Sequence, residues 1–135
     1  LIKTVTQNHG LGCGVACVAA VLGISYERAL GLFVNPERAW TEGFYCRDLV
    51  RALELGGKVY RYKKIQSSRD PILKREGTIV FTRFSIAYPR GHYLVRIVKG
   101  WMNPWVNYPE IAPAKSGRVA RLPAPVDYAI FEVEL

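Results

Sequence analysis

Long apolar runs are missing from this chain of 135 residues. The longest, Cys13 to Leu22, is roughly ten residues, well short of the ~18 that a membrane span requires. It also lacks the basic flank and cleavage site of a secretory signal. Acidic residues are scarce: 11 Asp and Glu stand against 19 Lys and Arg, a net charge of +8. The imbalance bears on partners rather than fold. It implies either affinity for something acidic (nucleic acid, a membrane surface or an acidic protein) or a basic surface with no dedicated partner. Cysteine is scarce too, and the count of three is odd. At most one bridge can form, which argues against a disulfide scaffold and for free thiols in a reducing, cytoplasmic setting. With only two histidines, imidazole chemistry must fall on His9 or His92. The chain opens on Leu1 rather than Met, which reads as an internal or processed start.

What is present describes a globular protein. Half the residues are hydrophobic and 12% are aromatic, which excludes disorder. The length fits one domain, residues 1–135, with a single core. No repeat, low-complexity block or internal linker interrupts it. Residues 1–6 (LIKTVT) alternate, as in an edge strand or extended arm. After the glycine-rich 10–14 stretch, VACVAAVLG is apolar on all sides and predicts a buried helix that Gly23 ends. Ser25 caps a second helix over YERALGLF, with Ala29, Leu32 and Phe33 inward. VNPERAWTEG reads as a loop. CRDLVRALELGG is a third helix, with Cys46, Leu49, Val50 and Leu53 inward. Strands follow in KVYRYKKI, TIVFTRF, HYLVRIV, a short segment that Pro104 interrupts, and YAIFEVE. Residues 67–77 form a loop with one helical turn, and 109–125 form a long basic loop. Helices first and strands second give an α+β fold with an antiparallel sheet.

One constellation carries chemistry. Cys13 stands at the start of the buried helix, where unpaired N–H groups and the helix dipole favour thiolate. Gly12 and Gly14 would let a substrate backbone approach. Alone, Cys13 reads equally as a small buried hydrophobe. His92 follows Gly91 at the start of a strand, a rigid support for a general base. Strand, turn and strand bring Asn103 back beside it, where the amide oxygen can hold the imidazole's tautomer. Gln7, in the spacing Gln7-x5-Cys13, can donate to an oxyanion together with the Cys13 N–H.

Gln7-x5-Cys13-Gly14-x-Ala16 before an apolar helix, then Gly91-His92-Tyr93 opening a strand, then Asn103-Pro104, resembles the C39-like cysteine peptidases of the papain-like superfamily. The resemblance spans Gln7 to Asn103 in order. It implies a papain-like fold and a hydrolase acting on a peptide or protein substrate, with no metal or organic cofactor. Cys13 would be the nucleophile, His92 the base and acid, Gln7 the oxyanion donor and Asn103 the orienting residue. The chain departs from the family in carrying Asn-Pro where Asp-Pro is usual, and asparagine cannot offset an imidazolium charge. Asp127 is a distant candidate to replace that carboxylate.

Other readings compete. His9-x3-Cys13-x3-Cys17 has metal-ligand spacing, but the intervening glycines break the helix that would align it, and structural zinc wants four ligands. Lys58, Arg61, Lys63, Lys64, Arg69, Lys74 and Arg75 crowd around Tyr60 and Tyr62. That pattern suits either a nucleic-acid strand or one solvated strand face. No nucleic-acid recognition motif accompanies it. The alternative function is therefore a catalytically inactive papain-like binding module, or a toxin-like effector that engages an acidic partner. Trp101, Trp105 and Tyr108 read as core and groove wall.

Overall fold

The computed structural model describes residues 1–110 and 113–134. Four helices come first: α1 Cys13–Leu22, α2 Tyr26–Leu30, α3 Arg38–Thr41 and α4 Cys46–Leu55. Six strands follow: β1 Tyr60–Lys64, β2 Ile79–Thr82, β3 His92–Arg96, β4 Trp101–Asn103, β5 Gly117–Val119 and β6 Val126–Glu132. They form one sheet in the order β1-β6-β2-β3-β4-β5, and every pairing is antiparallel. The fold is α+β. Among the described residues no helix is long and apolar enough to cross a membrane.

α1 has no polar face, and the structure encloses it. It lies on β3 with α2 and α4 beside it, and Val15 through Ala19 are fully buried. Each valine so buried contributes roughly 1.5–3 kcal/mol. Gly23 ends the helix in the left-handed region at φ 69°. The amphipathic α4 packs Leu49, Ala52 and Leu53 inward. The sheet is apolar on both faces. Ile79, Tyr93, Val95, Met102 and Ile130 meet the helices. Val80, Leu94, Trp101 and Ala129 point the other way, onto Ile65 and Leu73.

Three expectations change. The 34–43 segment holds the short helix α3 rather than a pure loop. Arg38 stabilises it by donating from Nε to Gly43 O at 2.8 Å and pairing with Glu42 at 3.2 Å. α2 is shorter than YERALGLF, because the chain turns at Gly31. Within the basic 109–125 segment, Gly117–Val119 forms β5 by pairing with the free edge of β4. Residues 111–112 of that segment lie outside the described residues. Residues 1–6 form an arm rather than a strand. Its end is tied down by Thr6 Oγ1 to Ser116 Oγ at 2.9 Å and by Gln7 N–H to Pro104 O at 3.3 Å.

Candidate active site

β3 begins and β4 ends at the same end of the sheet. His92 and Asn103 alternate in phase with Leu94 and Trp101, so both stand on the face turned away from the helices. His92 Nε2 and Asn103 Oδ1 are 2.7 Å apart, and both residues are buried. The network decides which atom of each side chain makes this bond. Trp105 backbone N–H, which can only donate, meets the same Asn103 atom at 2.9 Å, so that atom is the amide oxygen. Asn103 Nδ2 donates to Tyr88 Oη at 3.0 Å, and that hydroxyl donates on to Trp105 O at 2.7 Å. The oxygen must therefore receive a proton from His92. Nε2 carries it, and Nδ1 keeps a free lone pair. Tyr88 also lies flat on the imidazole, with ring centroids 3.8 Å apart at 8°.

Gly91 sets the entry to β3. Its φ is +79°, and a Cβ there would lie 2.7 Å from Thr82 O and against the Phe81 ring. Only glycine turns the chain so tightly ahead of the histidine.

Cys13 is the first residue of α1 and shares a cleft of about 350 Å³ with His92, walled by Leu11, Arg90, Trp105 and Tyr108. Trp105 and Tyr108 are thus groove wall, while Trp101 belongs to the core cluster around Leu94 and Ala129. A second hollow of about 400 Å³ continues past Cys13 between Gly43, Phe44, Phe84 and Gly91. The thiol therefore sits midway along a groove. The glycines beside it do not open space for a ligand. The room at Gly12 is taken by the Tyr26 hydroxyl, and the room at Gly14 by Leu49 and Tyr93.

Burial pushes the Cys13 thiol up to about 11, opposed by the backbone N–H groups of Tyr93, Gly14 and Cys13 itself. The residue as a whole is half-buried and lines the groove. Burial pushes His92 down to about 4, with the Asn103 hydrogen bond opposing it. Each group accordingly rests neutral. The first intrahelical bond of α1 runs from Ala16 N–H to Gly12 O at 3.1 Å. Ahead of it, the Cys13 and Gly14 N–H groups have no carbonyl acceptor among the described residues.

Gln7 is buried, and its Nε2 donates to His9 O at 3.0 Å and Gly10 O at 3.3 Å. Both partners are acceptors, so the amide cannot be reversed, and Oε1 has no partner among the described residues. Gln7 braces the glycine loop from behind. His9 is occupied elsewhere: Nδ1 is 2.9 Å from Tyr26 Oη, and the ring stacks obliquely on Trp40. Among the described residues no cluster of three His, Cys, Asp or Glu can hold a metal ion. Cys17 is wholly buried within α1. Asp127 pairs with Lys64 at 2.9 Å, and the imidazole's partner is Asn103.

Three of the seven cations of the basic stretch, Lys63, Lys64 and Arg75, are paired within the fold. Lys63 pairs with Asp70 at 2.9 Å, and Arg75 with Glu134 at 3.5 Å. Tyr60 is buried, with its hydroxyl donating to Gly77 O, and Tyr62 is exposed. Sequence reasoning missed Tyr88 and the Tyr93 N–H. Neither carries a sequence signal, because one acts by stacking and the other through its backbone. No protein-family model matches the sequence, and no curated protein matches it.

Proposed function

We propose that the protein is a papain-like, C39-like cysteine hydrolase that cleaves an amide bond in a peptide or protein substrate. The supporting observation is the histidine's committed tautomer: Nε2–H is bound to Asn103, which leaves Nδ1 as the acceptor nitrogen, and His92 lines the same cleft as Cys13. Nδ1 takes the thiol proton as sulfur bonds to the carbonyl carbon. The carbonyl π pair moves to oxygen, and the resulting oxyanion meets the N–H groups of Cys13 and Gly14. Gln7 adds a donor by giving up its longer bond, the one to Gly10 O. The C–N bond then breaks, and His92 returns the proton to the departing amine. Water attacks the thioester, delivering its proton to Nδ1. The acid leaves, and the thiol is regenerated with that proton.

A second reading is a catalytically silent binding domain of the same kind. The high thiol pKa and the Gln7 amide turned into its own loop favour it. A pool of fluorogenic peptide amides separates the two readings. We expect turnover by the wild type, loss of at least ~100-fold in Cys13→Ala and in His92→Ala, and near-normal turnover in Cys17→Ala. Equal loss in Cys13→Ala and Cys17→Ala, with both folded, overturns the hydrolase assignment. So does turnover that Cys13→Ala leaves intact.

A further inference from the structure

A cavity of about 410 Å³ opens on the sheet face opposite the helices, and it shares no lining residue with the Cys13 cleft. Leu73, Trp101 and Val126 supply apolar wall. Three cations line it: Lys74, Arg83 and Arg96. None of them makes an ion pair or a side-chain hydrogen bond among the described residues. Arg96 is the most telling. Its guanidinium carbon lies 5.4 Å from the centroid of the Trp101 ring, and its Nε is buried with no acceptor among the described residues. A buried charged donor without an acceptor is costly, and a ligand oxygen relieves that cost.

Among the described residues, no carboxylate lines the cavity. Asp70 and Asp127, which flank it in sequence, are each held by their own lysine, Lys63 and Lys64. The three cations are therefore uncompensated at this face. Ser67, Ser68 and Gln66 add hydroxyl and amide groups at the rim. Three cations around polar rim groups match a dianionic, oxygen-rich head better than a single carboxylate. The wall of Trp101, Leu73 and Val126 matches a flat apolar body.

We infer that this cavity binds a phosphomonoester that carries a flat apolar group, with the phosphoryl head on Arg96, Arg83 and Lys74 and the body along Trp101. The site is independent of the chemistry at Cys13.

Titration of the full chain with phenyl phosphate tests this, followed by NMR through the indole N–H signals, with Trp101→Phe assigning the Trp101 resonance. The Trp101 signal shifts saturably, and inorganic phosphate competes. Phenol and benzoate bind more weakly. Arg96→Gln lowers affinity roughly tenfold or more. Arg83→Gln, at an exposed position that the fold does not need, lowers it several-fold. The inference is overturned if the Trp101 signal does not move, or if phenol or benzoate binds as tightly as phenyl phosphate. It is also overturned if both arginine variants keep wild-type affinity. Binding of an oligonucleotide that phenyl phosphate does not displace, with no response to phenyl phosphate alone, would also overturn it in favour of a polymer surface.

Discussion

His92 Nε2–H donates to Asn103 Oδ1 at 2.7 Å, and the Trp105 backbone N–H leaves the amide no alternative orientation. The neutral partner has a consequence. Asparagine fixes the imidazole but adds no charge to hold a proton on it, so burial dominates and His92 is pushed down to about 4. In Asn103→Asp a carboxylate faces the ring, and the His92 pKa should rise by roughly 1–3 units. A histidine titration by NMR measures this directly. An unchanged titration would mean that the 103 side chain does not govern the ring.

Stability should follow His92 in acid. Its folded pKa, about 4, lies below the ordinary 6.5. Between those values the unfolded chain binds a proton that the folded one refuses, so stability falls as pH falls. The contribution is fully present above pH 6.5 and gone below about 4, and amounts to roughly 3 kcal/mol in all. Urea unfolding at pH 7 and pH 4.5 should show the loss, and His92→Gln should flatten it. On the proposed mechanism, which needs a neutral base, hydrolysis should keep its acid limb near pH 4 rather than 6.5.

The thiols should separate by access. Cys17 is enclosed and should resist iodoacetamide until the protein unfolds. Cys13 and Cys46 are partly exposed and should react in the native state. Because burial lifts Cys13 to about 11, its alkylation should keep climbing through pH 9. A plateau below pH 7 that disappears in His92→Ala would instead reveal a resting thiolate–imidazolium pair.

Gly91→Ala tests the turn ahead of the histidine. A methyl group at φ +79°, pressed on Thr82 O and Phe81, should cost about 2 kcal/mol and displace the ring. Thermal melting gives the first effect. Loss of the hydrogen-bonded His92 Nε2–H signal gives the second.

Much of this arrangement was legible in the residues. The unbroken apolar face of VACVAAVLG could only be a surrounded helix, and Gly56-Gly57 could only stop α4. Asn103 was legible because a hairpin returns the chain to its starting end. The basic tyrosine-rich strand was less so. Its charges look like a patch in sequence, yet Asp70, Asp127 and Glu134 reach them only after folding. The short β5 has no alternation to read, because pairing with β4 rather than burial makes it a strand. Gln7 shows the same limit: spacing locates the amide but cannot say which way it faces, and two loop carbonyls hold it.

The β3–β4 hairpin closes through Ile97 to Gly100, where Gly100 has φ +87° and the Ile97 N–H reaches Gly100 O at 3.1 Å. This turn holds no reactive group, yet it acts as the ruler of the site. Side chains change faces at every residue along a strand. Removing one residue from the turn would therefore slide Asn103 to the helix side while His92 stayed put. Such a protein would lose the bond between imidazole and amide without losing either residue.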